Sequence, residues 1–233
     1  MNKKVLITGG SRGIGKAIAL FFAERKFDIA ICARNQEKLN ELVAKLEQFG
    51  VSVIAATCDA SKPNDIKNFC KNVLSKWGHI DILVNNAGTY LPGKVTEEAD
   101  GTLEKLIETN LYSAYYFSKN IAPSMVASKS GYIFNIASVA GLQAYPNGGS
   151  YSISKFAMIG LSKALREELK TLNVRVTNIS PGAVLTDSWA GVDLPENRFI
   201  ASADIAKIIF DLYHLSPQTN VEDLVVRPIL GDI

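Results

Sequence analysis

The chain has 233 residues and a formal net charge of +2, so no broad basic face of the kind that binds nucleic acid is expected. Hydrophobic residues make up 47% of it, which predicts one domain with a well-buried core. The three cysteines, Cys32, Cys58 and Cys70, form no C-x-x-C pair. They argue against a disulfide framework or a zinc site, and we expect no metal.

Apolar strand-like runs alternate with helix-like segments along the whole chain. In chain order, the pattern predicts strand 4–8, helix 14–26, strand 28–33, helix 35–49, strand 51–58, helix 63–77, strand 80–84, helix 102–127, strand 132–137, helix 150–172, strand 174–179, helix 203–215 and strand 223–226. Uniformly apolar strands in this alternation are typical of a parallel sheet covered on both faces. We predict a single α/β domain, residues 1–233, with a Rossmann fold: a doubly wound, mainly parallel sheet of about seven strands with helices on both faces.

An uncharged stretch, residues 130–154, contains Asn, Gln, Pro and several Gly residues. These residues are not typical of a membrane span, so we interpret the stretch as part of a buried, shaped site. Near the N terminus, an apolar strand and a Gly-rich turn come directly after Lys3 and Lys4, a pattern unlike a secretory signal. We therefore expect a cytoplasmic protein without a membrane partner.

The sequence TGGSRGIG, residues 8–15, lies between the first predicted strand and the first predicted helix. Gly9, Gly13 and Gly15 permit a tight turn and a close approach of the backbone to a pyrophosphate. The turn lacks the Gly-Lys-Ser/Thr ending of a phosphate-transfer loop, which disfavours kinase or NTPase chemistry. A purely structural loop is the alternative, but the position after the first strand favours a cofactor site.

Two arginines indicate which dinucleotide would bind. An acidic residue that holds the ribose 2′-hydroxyl of NAD is expected at the end of the second strand, but Ala33 and Arg34 stand there. A guanidinium can hold a 2′-phosphate, and Arg12 in the Gly-rich turn can reach the same group. Both could be ordinary surface arginines, but together they favour NADP(H).

Tyr151 and Lys155 are four residues apart at the start of a predicted helix, and both therefore lie on one face of it. A nearby cation favours a phenolate and lowers the pKa of the phenol. We expect such a tyrosine to exchange protons near neutral pH, as the interconversion of a carbonyl and an alcohol requires. A pair of this kind is weak evidence alone, because most are solvated helix faces.

With these motifs in order, the chain resembles the short-chain dehydrogenase/reductase family of the type called classical over essentially its whole length. Residues 8–15 resemble the family's TGxxxGxG turn, and residues 85–88 resemble its NNAG motif. Asn110, Ser138, Tyr151 and Lys155 match its catalytic tetrad. The resemblance implies a cofactor site formed by Gly9, Ser11, Arg12, Gly13, Ile14, Gly15, Arg34, Asp59, Asn86, Ala87, Gly88, Tyr151, Lys155, Pro181, Gly182, Val184 and Thr186.

The resemblance also implies a role for each member of the tetrad. Tyr151 would be the general acid in reduction, and Lys155 would lower its pKa and bind the nicotinamide ribose. Ser138 would hydrogen-bond the substrate oxygen, and Asn110 would hold a water that links Lys155 to solvent. Fixed donors of this kind stabilise charge that develops on a carbonyl oxygen.

Substrate identity is less constrained by the sequence. Candidate pocket residues are Tyr90 and Leu91, then residues 142–147, then residues 185–194, where Trp189 is either a lid anchor or core. Much of the chain resembles 3-oxoacyl-acyl-carrier-protein reductases, which implies a 3-oxoacyl thioester substrate, either free or bound to a carrier protein. Residues 225–233 instead resemble the end of bacterial sepiapterin-reductase-like members, which implies another small-molecule carbonyl.

A different class of function is an NADP(H)-binding sensor without catalysis, since a fold does not fix a function. The intact tetrad argues against it. The resemblance further implies a homodimer or homotetramer. Four aromatic residues of the helix after Thr102 are either interface or core, namely Tyr112, Tyr115, Tyr116 and Phe117.

Overall fold

The computed structural model describes residues 2–189 and 191–233. Within these described residues, seven strands form one sheet: β1 Lys4–Thr8, β2 Asp28–Ala33, β3 Val53–Thr57, β4 Ile82–Asn85, β5 Gly131–Ile136, β6 Val174–Pro181 and β7 Asp223–Val226. Their order is β3-β2-β1-β4-β5-β6-β7, and every pairing is parallel. The predicted Rossmann arrangement is therefore confirmed.

The helices are α1 Gly13–Glu24, α2 Gln36–Glu47, α3 Pro63–Trp77, α4 Thr102–Ile107, α5 Ser113–Ala127, α6 Gly149–Leu169 and α7 Ser202–Tyr213. Apolar side chains of α1, α2 and α7 pack on one face of the sheet, for example Phe22, Leu42 and Ile209. Those of α3, α5 and α6 pack on the other, for example Phe69, Phe117 and Leu169. This placement on both faces buries strands that are apolar throughout.

Most predicted elements end within a few residues of their observed bounds, but one helix differs in kind. The predicted helix 102–127 is divided by a π-helical segment, Glu108–Tyr112, between α4 and α5. Such segments occur frequently at functional sites. This one contains Asn110, whose side chain is completely buried.

The carboxyl ends of β1 and β4 lie side by side at the point where the strand order reverses. Ligands bind at this point in open parallel sheets. β1 leads into the Gly-rich turn, and β4 leads into Asn86, Ala87 and Gly88. Within residues 2–189 and 191–233, no helix is both long enough and apolar enough to cross a bilayer.

Candidate active site

The Gly-rich turn is held to the end of β4 by hydrogen bonds. The Thr8 hydroxyl oxygen accepts from the backbone N–H groups of Asn86 and Ala87 at 3.0 and 2.9 Å. The Asn86 side-chain amide donates to the carbonyls of Thr8 and Gly9 at 2.9 and 3.1 Å. Asn86 therefore contacts the turn itself, and any effect on a cofactor would pass through the backbone that it fixes.

The turn has the shape of an anion cradle. Gly9 and Gly13 have φ values of +66° and +51°, a region that favours glycine. A Cβ on Gly15 would lie only 2.5 Å from the Gly9 carbonyl oxygen. α1 begins here with no side-chain cap and no acidic residue in its first turn. Its N-terminal N–H groups and dipole therefore suit a pyrophosphate.

The neighbouring strand ends carry the groups expected near the adenosine ribose. Arg34 is exposed directly after β2, and Asp59 follows β3. Burial acts to raise the pKa of Asp59, but hydrogen bonds from Ser61 and the charges of Lys62 and Arg34 outweigh it and lower that pKa. The Asp59 carboxylate accepts from the Ser61 N–H and hydroxyl at 3.1 and 2.8 Å.

Tyr151 and Ser138 lie together at the centre of the site. The Ser138 hydroxyl is close enough to the Tyr151 phenol to affect its pKa. The Ser138 oxygen accepts from the Ala140 N–H at 3.1 Å. Burial raises the pKa of Tyr151, and Tyr90 acts in the same direction, whereas the Ser138 hydroxyl acts to lower it. Tyr151 therefore holds its proton at neutral pH.

The expectation that Lys155 lowers the pKa of Tyr151 is wrong for this structure. The Lys155 ammonium lies 5.8 Å from the centre of the Tyr151 ring and donates to the Ile136 carbonyl at 3.0 Å. Lys155 is only 6% exposed, and burial lowers its pKa to about 8. Desolvation thus favours the neutral forms of Tyr151 and Lys155. It outweighs the lowering of the Tyr151 pKa expected from a cation four residues away on the same helix.

Asn110 is fixed by contacts on both ends of its amide. Its oxygen accepts from the Thr89 N–H at 2.7 Å, and its nitrogen donates to the Thr89 carbonyl at 3.0 Å and to the Ser154 hydroxyl at 2.9 Å. Gly88 lies beside it, since a Cβ there would be 3.2 Å from the Asn110 oxygen and 3.7 Å from the Lys155 ammonium. Ser154, three residues after Tyr151, was not predicted, because no sequence pattern marks its contact with Asn110.

Two further tyrosines surround the Tyr151 ring. The Tyr90 ring meets it edge-on, with centroids 4.9 Å apart. Burial raises the pKa of Tyr145, and the neighbouring Tyr90 hydroxyl adds to that rise. Both residues fall within the predicted pocket segments. Together they give the site an aromatic wall with hydroxyl groups.

The segment after β6 closes over the Gly-rich turn. Pro181 ends β6, the Gly182 N–H donates to the Val226 carbonyl at 2.7 Å, and buried Val184 pairs with Ile200. A Cβ on Gly13 would lie 3.1 Å from Thr186.

The closing segment also has a contact with the Gly-rich turn and a contact within itself. Arg12 pairs with Asp187 at 3.8 Å, and the Trp189 and Phe199 rings lie 5.4 Å apart. Trp189 therefore packs against the later part of the same segment. Ala190, inside the predicted pocket range 185–194, lies outside the described residues.

Comparison with known proteins decides the family. The family model described as short chain dehydrogenase matches residues 3–197. The chain belongs to the short chain dehydrogenase family. It is an oxidoreductase of that family, as the sequence predicted.

Three similar proteins show the range of chemistry among short chain dehydrogenases. A sepiapterin reductase of Chlorobaculum tepidum is 32% identical over 100% of this chain and 99% of its own. A 3-oxoacyl-acyl-carrier-protein reductase of Staphylococcus epidermidis is 30% identical over 90% of each chain. The crystal structure of L-sorbose reductase from Gluconobacter frateurii, complexed with NADPH and L-sorbose, has a TM-score of 0.91 and 30% identity over 97% of this chain and 95% of its own.

Proposed function

We propose that this short chain dehydrogenase reduces the carbonyl group of a small molecule to an alcohol with NADPH. The observation that carries the proposal is the closeness of the Ser138 hydroxyl to the buried Tyr151 phenol, whose pKa Ser138 acts to lower. The pair lies on the carboxyl side of the sheet, where a substrate could meet a cofactor held by the Gly-rich turn. Both hydroxyls can turn toward a carbonyl oxygen and stabilise the charge that develops on it.

NADP(H) fits the residues present. The glycine cradle and the α1 N terminus suit the pyrophosphate, and Arg12 and Arg34 suit the 2′-phosphate. Solved relatives such as the L-sorbose reductase hold NADPH. When bound, NADPH supplies the hydride, and the protein supplies the proton and the placement.

Tyr151 is the proton donor in this proposal. Its raised pKa keeps the phenol protonated at neutral pH, as a general acid requires. Ser138 orients the carbonyl oxygen toward the phenol. Lys155 and Asn110 line the same site from α6 and the π-helical segment, with Gly88 between their side-chain ends.

Charge at the mouth of the site favours a small substrate over one bound to a carrier protein. The segments 89–101 and 182–201 hold the substrate side of the site and contain six acidic residues against two basic ones. The acidic residues are Glu97, Glu98, Asp100, Asp187, Asp193 and Glu196, and the basic ones are Lys94 and Arg198. An acyl carrier protein is itself acidic, so this balance would repel it. The 3-oxoacyl thioester nevertheless stays a second candidate substrate, since one relative is named as a 3-oxoacyl-acyl-carrier-protein reductase.

The test is NADPH oxidation with a panel of carbonyls: sepiapterin, diketones, simple ketones, acetoacetyl-coenzyme A and an acetoacetyl carrier protein. We expect turnover with at least one free carbonyl, and kcat/KM no higher for the carrier-bound acyl group than for the coenzyme A ester. A clear preference for the carrier would reverse the substrate assignment. Tight NADPH binding without turnover on any member would favour a sensor instead.

We also propose a homodimer or homotetramer that associates through exposed apolar side chains of the π-helical segment, α5 and α6. Phe117 is buried in the core, whereas Tyr112 and Tyr115 are exposed, as is Phe156 on α6. Exposed apolar groups on neighbouring helices are typical of association surfaces. Light scattering should report a dimer or tetramer for the wild type and a smaller species for Tyr115→Glu/Phe156→Glu. A wild-type monomer would contradict the proposal.

A further inference from the structure

The helix that carries Tyr151 and Lys155 begins without a cap of its own. α6 starts at Gly149, and Gly148 stands at the cap position without a side-chain hydrogen bond. The first N–H groups of a helix have no partner within the helix. An acceptor from elsewhere in the chain is therefore needed to cap it.

Glu98, in the loop after β4, supplies that acceptor. One carboxylate oxygen accepts from the Ser150 N–H at 2.9 Å, and the other accepts from the Ser150 hydroxyl. A carboxylate also interacts favourably with the positive end of the helix dipole. Because Ser150 directly precedes Tyr151, these bonds fix the backbone one residue before the proposed proton donor.

Two glycines make room for the Glu98 side chain. A Cβ on Gly93 would lie 2.7 Å from Glu98 Cγ, and one on Gly149 would overlap Glu98 Oε1. Gly149 also has a φ of +35°. A second tie lies beside them, where the Gly93 N–H donates to the Asn147 carbonyl at 3.0 Å. The loop and the start of α6 are thus joined at two points and closely packed.

The other end of the same loop touches the site directly. The Thr89 N–H donates to the Asn110 side-chain oxygen, and the Thr89 carbonyl accepts from the Asn110 side-chain nitrogen. The Tyr90 ring meets the Tyr151 ring edge-on. The loop therefore contacts Tyr151 through Tyr90 and its helix through Glu98. A change at Glu98 would loosen both the helix start and the loop that carries Tyr90.

We propose that Glu98 is a positioning residue for Tyr151 and acts through its two hydrogen bonds to Ser150. The inference rests on the proposed function, because positioning is measured by catalysis. It predicts that Glu98→Ala lowers kcat about 10- to 100-fold, as small misplacements of reacting groups do. KM for the carbonyl and Kd for NADPH should change little.

Matched variants separate positioning from general damage. Glu98→Gln keeps the length and can still bond both Ser150 groups, so it should retain most of kcat. Glu168→Ala removes an exposed carboxylate near the other end of α6, and it should leave kcat unchanged. A kcat for Glu98→Ala close to that of the wild type would overturn the proposal, as would equal losses in Glu98→Gln and Glu98→Ala.

Ser150→Ala removes only the hydroxyl and offers a milder variant should Glu98→Ala fold poorly. It should lower kcat by a smaller factor with KM unchanged. Added to Glu98→Ala, it should cause no further loss, since its partner is already absent. Additive losses would show that the two residues act separately and would overturn the proposal.

Amide hydrogen exchange gives a readout that does not depend on turnover. In Glu98→Ala, the Ser150 and Tyr151 amides should exchange about tenfold faster than in the wild type, while the middle of α6 is unaffected. Unchanged exchange would overturn the role of Glu98 even if the protein is a reductase. Faster exchange in a protein that reduces no carbonyl would instead refute the proposed function alone.

Discussion

Proton delivery depends on the effect of burial on the pKa of the Tyr151 phenol. Tyr151 lies under Tyr90 and beside Tyr145, and the removal of water from around it raises its pKa. The neighbouring Ser138 hydroxyl partly offsets this rise in the pKa. Tyr151 is therefore a neutral proton donor at physiological pH and lies beside the Ser138 hydroxyl.

Removal of that phenol should abolish turnover. Tyr151→Phe deletes the donor and keeps the ring, so kcat should fall at least about 100-fold, the lower range for general acid catalysis. NADPH affinity, measured by fluorescence titration, should be retained. Tyr115→Phe makes the same change at an exposed position on α5 and should be silent. Activity above a few per cent in Tyr151→Phe would refute the role.

The pKa of Lys155 predicts a dependence of stability on pH. Burial lowers this pKa from 10.5 to about 8, so the folded protein binds the proton more weakly than the unfolded chain. Unfolding therefore takes up a proton between those values, and the free energy of unfolding rises with pH across that window. The loss of stability that comes from burying the charged Lys155 ammonium is fully present below pH 8.

Lys155→Met removes this titration and provides the comparison. The free energy of unfolding of the wild type relative to Lys155→Met should rise by about 3 kcal/mol between pH 7 and the alkaline end of the window. Urea denaturation at a series of pH values measures it. A constant difference would show that Lys155 keeps its ordinary pKa.

Arg34 should set the choice of cofactor. Hydrogen bonds to charged groups contribute about 1.5–3 kcal/mol, so Arg34→Asp should lower the ratio of kcat/KM for NADPH to that for NADH about tenfold or more. Lys38→Asp makes the same change of charge near the start of α2 and should leave the ratio unchanged. An equal or higher kcat/KM for NADH in the wild type would contradict the assignment.

At the scale of elements, the Gly-rich turn is fixed by close contact between backbones. A Cβ on Gly15 would lie 2.5 Å from the Gly9 carbonyl oxygen and 2.6 Å from the Asn86 amide. Gly15→Ala should therefore lower the free energy of unfolding by about 1–3 kcal/mol and weaken NADPH binding.

Gly160 provides the control for this substitution. It lies in the middle of α6 with nothing within 4 Å of a built Cβ. Gly160→Ala should raise stability by up to about 1 kcal/mol through helix propensity. Urea denaturation and NADPH titration measure both variants, and a Gly15→Ala protein as stable as the wild type would contradict the steric explanation.

Local patterns predicted the strands, the helices and the strand ends that carry the motifs, because apolar periodicity and capping are local. Asn35, for example, begins the predicted helix 35–49, and its side chain caps α2 by accepting from the Lys38 N–H at 2.8 Å. The π-helical segment around Asn110 was not predicted, because the Asn110 side chain is held by tertiary contacts with Thr89 and Ser154. The cap of α6 was missed because Glu98 and Ser150 lie 52 residues apart in the chain.

At the scale of the whole molecule, the sheet brings distant segments to one edge. β1 and β4 contribute the turn and its anchor, β5 leads to Ser138, and α6 carries Tyr151 and Lys155. The resemblance to the family's motifs identified these residues but carried no information about their pKa values. The pKa of Tyr151 was misjudged because burial, which depends on the complete fold, outweighs the nearby charge.

Transfer of label from cofactor to product tests the reductase assignment most directly. With NADPH deuterated at either C4 position, the wild type should form an alcohol that carries one deuterium at the former carbonyl carbon from one of the two labelled cofactors. Tyr151→Phe should form this labelled alcohol at least about 100-fold more slowly. NADPH consumption without deuterium in the product, or no alcohol from any carbonyl of the panel, would contradict hydride transfer at this site.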